Sequence, residues 1–227
     1  MRKLLDKLVD RMVLWGFGLA EVGCFDGIRL VDARWRDGSR LSFRITIEES
    51  LRLVASRDPR RYTRIRQYIK WVVNRVSNTM GAEYDFRRRM CSIEYDDMTG
   101  VDRDVVSAFY ACILVHEATH GAIESRGIRM SPDNRVAVER LCTTEQNRFA
   151  TRLASVEPQR YPARLLHFEF REDYWRGEWM AAPQQRRKAF ISRFIADMRA
   201  ERGASPNGGP ATPVGNSEVT EGPPSVS

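Results

Sequence analysis

Histidine is scarce in this chain: three in 227 residues, at positions 116, 120 and 167. Lysine is nearly as rare, four against 33 arginines. The four cysteines, Cys24, Cys91, Cys112 and Cys142, show no paired spacing. That excludes a paired C-x-x-C zinc module and argues against a disulfide framework, and it fits a reducing compartment. No stretch reaches the ~20 apolar residues that span a bilayer. The N-terminal run Met1 to Arg11 is a charged amphipathic segment. Asp6, Asp10 and Arg11 interrupt the place where the apolar part of a signal peptide would build. A cytoplasmic chain without a membrane span is therefore expected. No internal repeat is present.

Residues 203–227 contain no aromatic residue, lysine or arginine and are rich in Pro, Gly, Ser and Thr. Such a composition cannot repay the entropy of ordering, so a disordered tail is expected there. Residues 1–202 are long enough to bury one sizeable core as a single domain. The chain's net charge is +7, and because the tail's only charged side chains are Glu218 and Glu221, the body carries about +9. Arginine runs at Arg60-Arg61, Arg87-Arg88-Arg89 and Arg186-Arg187-Lys188 offer a surface for nucleic acid or an acidic partner. No nucleic-acid motif accompanies them, and the plainer reading is a solvated surface in an arginine-biased chain.

Two of the three histidines fall within one short motif, His116-Glu117-Ala118-Thr119-His120. On a helix, residues four apart share a face, so both imidazoles can point at one metal ion. Glu117 follows the first ligand directly, turned about 100° from it around the helix, where its carboxylate can take a proton from an activated water. The motif thus proposes zinc and hydrolysis together. Between Tyr110 and Ile123 the only charge is Glu117, which is how a deeply buried helix reads. Two histidines and a carboxylate are costly to bury there without a partner.

A catalytic zinc takes three protein ligands and keeps one position open. Arg126 stands where a longer H-E-x-x-H-x-x-G-x-x-H pattern would place a third histidine. His167 has no specific support, and Glu124 lies one turn too far along the same helix. The next helix carries Glu139 and Glu145. Val136, Cys142, Thr143, Gln146, Phe149, Ala150 and Leu153 cluster around the direction of Glu139, whereas Glu145 points toward Arg148 and Arg152. Glu139 is accordingly favoured over Glu145. Cys142, one turn beyond Glu139, is a more distant candidate for a ligand or supporting group. No residue stands out as an oxyanion stabiliser among Tyr110, Tyr161, Tyr174, His167 and Arg135.

His116-Glu117-x-x-His120, eighteen residues and then Glu139 resembles the gluzincin metallopeptidases, the thermolysin-like and aminopeptidase-like zinc enzymes. The resemblance covers residues 105–150. It implies His116, His120 and Glu139 as zinc ligands, Glu117 as catalytic base, and a peptide or protein substrate. Val138 stands where the family often has Asn, and Thr143 where the thermolysin branch has Asp, so a separate gluzincin-like branch is implied. Gly16-Phe17-Gly18-Leu19-Ala20 is a weaker echo of the peptide deformylases, whose cysteine element is not matched around Cys91.

The remaining pattern suggests an α+β chain, mostly helical, with a small antiparallel sheet. Ile28 to Trp35 and Arg40 to Ile47 read as strands joined at Arg36-Asp37-Gly38-Ser39. Glu49 to Ser56 and Arg60 to Ser77 read as helices, and Ser92 to Tyr95 as a short strand. The motif helix spans Asp104 to Arg126 and closes at Gly127. A second metal-bearing helix runs from Pro132 to Val156 with Ser131 as N-cap. A final amphipathic helix spans Pro183 to Arg202. Zincins place an edge strand beside the active-site helix, and Ser92 to Asp96 is the candidate by analogy. The expected protein is a zincin-like, zinc-dependent hydrolase, foremost a metallopeptidase. The alternatives are a basic adaptor with a structural or inactive zinc site and a metal-dependent hydrolase of another substrate.

Overall fold

The fold is a computed structural model that describes residues 12, 15–34, 39–75, 82–172 and 175. The expected helices over 1–11 and 183–202, the turn at 36–38, the tail at 203–227 and Tyr174 lie outside the described residues. A helical stretch α1 is described over residues 15–19. It leads into β1 (Glu21–Phe25) and β2 (Ile28–Asp32), which pair antiparallel. The turn between them is Asp26-Gly27, with φ of 48° and 80°. Both residues sit in the left-handed region that two-residue hairpin turns of this hand require, and glycine occupies it without cost.

Two helices follow, α2 (Ser39–Arg57) and α3 (Pro59–Tyr68). The Asp58 side chain accepts the Arg61 N–H, and Pro59 suits the first turn. β3 (Trp71–Asn74) then lies parallel to β2. β4 (Ala82–Asp85) and β5 (Met90–Ile93) form a second antiparallel hairpin, with β5 parallel to β3. The sheet order is β1-β2-β3-β5-β4. Beyond it come α4 (Arg103–Glu124), α5 (Arg135–Val156) and the short α6 (Ala163–Leu166).

The α+β class and the helical excess match expectation, but the sheet is mixed rather than antiparallel. The α2 and α3 crossover forces β2 and β3 to run the same way. Arg40 to Ile47 is helical, not a strand. Its residues alternate in polarity, yet Phe43, Ile47, Leu51 and Val54 continue at helical spacing and are all fully buried. The helix expected over Arg60 to Ser77 stops at Tyr68, and Trp71-Val72-Val73 forms a central strand instead. Ser92 belongs to β5, which has neighbours on both sides, so the edge beside α4 is β4 rather than Ser92 to Asp96. The residue before α5 is Asn134, not Ser131; Ser131 lies in the preceding turn, where its N–H donates to Asn134 Oδ1 at 2.8 Å.

Period-two alternation splits β2 between two cores. Ile28 and Leu30 join the main core with Val72, Cys91, Ile93 and the apolar face of α2, whereas Val31 packs with Val73 and Met90 on the opposite side. α4 crosses the main core and is buried nearly all round, from Val105 to His120, with only His116 keeping a small exposed fraction. Its Gly121 makes the fit possible. A Cβ there would stand 2.6 Å from Tyr68 Cβ and 2.7 Å from Tyr84 Oη. Tyr84 on β4 in turn donates to the Tyr68 carbonyl at 2.8 Å, locking the edge strand and the end of α3 against the motif helix. Among the described residues, no helix is long and apolar enough to cross a membrane.

Candidate metal centre

α4 and α5 pack side by side, and their facing surfaces carry the polar groups. Asp102 caps α4 by accepting the Asp104 N–H. One face of α4 presents His116 and His120, with Nε2 atoms 3.2 Å apart. From α5, Glu139 Oε2 stands 3.3 Å from His116 Nε2 and 3.5 Å from His120 Nε2. Three donors held by one ion at roughly 2.0–2.1 Å and tetrahedral angles sit about 3.3–3.4 Å apart. The observed triangle has that size. Cys142, three residues beyond Glu139, is also present: its Sγ and the two histidine nitrogens lie within 4.8 Å of one another. A metal ion can therefore be held here.

Gln146 fixes the first ring. Its Oε1 accepts from His116 Nδ1–H at 2.9 Å, which leaves the Nε2 lone pair for the triangle. Gln146 is one of the buried residues clustering around the direction of Glu139. A polar side chain on that apolar face was the signal of its role, and sequence reasoning passed over it.

Electrostatics shows what the cluster lacks. Burial lifts the Glu139 carboxyl, but the hydrogen bonds and charges of His116 and His120 bring it down to about 2. Burial lowers His116, yet Glu139, Glu117 and Gln146 together hold it above its ordinary value. The carboxylates draw positive charge into the triangle, which a cation supplies as well as a proton does. Glu117 is 4 % exposed, and its Oε2 has no hydrogen-bond partner. Burial raises its pKa against the pull of both histidines, and Glu139 and Glu83 add to the rise. Burial, with the Glu117 charge adding to it, pushes up the Cys91 thiol of β5. Glu117 thus offers a buried acidic oxygen on the motif helix, next in sequence to His116.

Glu145 is elsewhere. Its carboxylate takes Arg61 at 3.0 Å, Arg64 at 3.2 Å and Arg148 at 2.6 Å, tying α3 to the outside of α5. The expected partner Arg152 instead meets Asp58 at 3.4 Å. His167 is exposed beyond α6 and is not in the triangle. Tyr110 is a packing residue: its hydroxyl accepts the Asp96 N–H and donates to the Asp96 carbonyl. Tyr161 is buried beneath Arg160. Arg135, one turn before Glu139, stacks on Trp175 at 5.8 Å. All four cysteines are free.

No protein-family model matches this chain, and neither a curated protein nor a solved structure matches it.

Proposed function

We propose that the protein is a zinc-dependent hydrolase, a metallopeptidase, with His116, His120 and Glu139 as ligands and Glu117 as general base. The observation that carries this reading is the triangle of edges 3.2, 3.3 and 3.5 Å beside a buried, unpartnered Glu117 oxygen. Two imidazoles and a carboxylate suit zinc. When bound, the ion supplies Lewis acidity, polarising a carbonyl and acidifying a water.

The chain's own groups supply the rest. Glu117 accepts the water proton and later delivers it to the leaving amine, a role favoured by its raised affinity for protons. Gln146 holds the His116 tautomer. The edge strand β4 lies against α4 through the Tyr84 and Gly121 contact. β4 is an edge strand of the sheet, so an extended peptide can pair along it by strand addition, which supports a peptide substrate.

Glu117→Gln tests the reading. It keeps size and polarity but cannot accept the proton. The variant should bind about one zinc per chain, as three-ligand sites do. It should lose turnover on a broad peptide library by about 10²–10⁴-fold, the contribution of a general base. Turnover equal to wild type defeats the mechanism, and a wild type that carries no zinc defeats the assignment.

A further inference from the structure

Three donors explain the triangle, but they leave Cys142 unused. α5 presents Glu139 and Cys142 three residues apart, both toward α4. Its Sγ sits within 4.8 Å of both histidine nitrogens. Cys142 is fully buried, whereas the His116 side chain keeps 13 % of its surface exposed. The sulfur is thus shielded from solvent, packed with Ile123 and Val138 beside the histidines. Thiolate sulfur binds zinc readily at about 2.3 Å and competes for any vacant position.

Resting on the zinc reading above, we propose that Cys142 is the fourth protein donor of this centre, so that its resting state is closed and hydrolysis requires the thiolate to be displaced. The thiol gives its proton to solvent on binding, and the sulfur recovers one when water takes its place. Two imidazoles, a carboxylate and a thiolate select zinc, or cobalt as its substitute, over the oxygen-seeking magnesium, calcium and manganese.

The full chain, stripped with a chelator and loaded with Co²⁺ under reducing conditions, tests this. Thiolate ligation gives an intense sulfur-to-cobalt charge-transfer band in the near ultraviolet, which nitrogen and oxygen ligands do not produce. The wild type should bind about one cobalt per chain, as such centres do, and show the band. Cys142→Ala should lose the band while three donors still hold the metal. Its zinc affinity, measured by chelator competition, should fall by more than the ~10–100-fold typical of an outer supporting residue. One bound cobalt without the band in the wild type overturns the proposal and leaves the triangle standing. A band that survives in Cys142→Ala assigns the sulfur to another cysteine and overturns it too. A wild type that binds neither metal removes the zinc reading itself. The wild-type spectrum decides the matter even where the variant does not fold.

Discussion

Replacing Glu139 by alanine removes one corner of the triangle, whereas replacing Glu145 removes only an outer ion-pair partner. Structural zinc sites with four ligands bind with about 10–16 kcal/mol, or roughly 2.5–4 kcal/mol per donor. Loss of one donor thus corresponds to roughly 10²–10³-fold in affinity. Loss of Glu139 also leaves His116 and His120 without the carboxylate 3.3 and 3.5 Å away. Glu145→Ala touches no donor. It strands part of the charge of Arg61 and Arg64, but Arg61 keeps its ion pair with Asp58, so the cost falls on stability, about 1–3 kcal/mol for a part-buried network. The assay is zinc competition against a chromophoric chelator, with a thermal melt of each metal-free variant. Glu139→Ala should lower zinc affinity by roughly 10²-fold or more, and Glu145→Ala should leave it within about threefold, since no donor changes. Equal losses in both variants, or none in Glu139→Ala, would refute the assignment of the third corner.

Gly121→Ala separates helix propensity from packing. Propensity alone predicts a gain of about 1 kcal/mol, but a Cβ 2.6 Å from Tyr68 Cβ and 2.7 Å from Tyr84 Oη must displace both. The packing penalty of roughly 1–3 kcal/mol should prevail, and a melting temperature above that of wild type would contradict the contact. Gln146→Leu frees the His116 ring and should weaken zinc binding by ~10–100-fold while leaving stoichiometry intact; unchanged affinity would show that Gln146 does not orient the ring.

The motif helix was legible because independent signals agreed: the apolar run into His116, the histidines at helical spacing and Gly127, whose φ of 85° ends the turn. The direction of Glu139 was legible for the same reason, since the face of α5 is a rotation counted along the chain. The nearness of Cys142 to both histidines is not legible in the sequence, because it depends on how α4 and α5 cross, which no single helix encodes. The start of α2 was lost to an ambiguity of period. Leu41, Phe43, Ile45 and Ile47 alternate like a strand, and only Leu51 and Val54 reveal the helical stripe. β3 was absorbed into the preceding helix because Trp71-Val72-Val73 extends its apolar side without a break. Asp26-Gly27 is a legible signal for a two-residue hairpin turn, and the structure places one there.

The sheet order has a consequence for how the chain folds. β1–β2 and β4–β5 are hairpins closed by short turns, so each forms from neighbouring residues. β3 has no such partner. It is held by β2 on one side and β5 on the other, both parallel. Its pairing with β2 must wait for α2 and α3 to span the crossover, at the entropic cost of a long loop. β3 is thus the keystone that joins two hairpins, each closed by its own short turn, into one sheet.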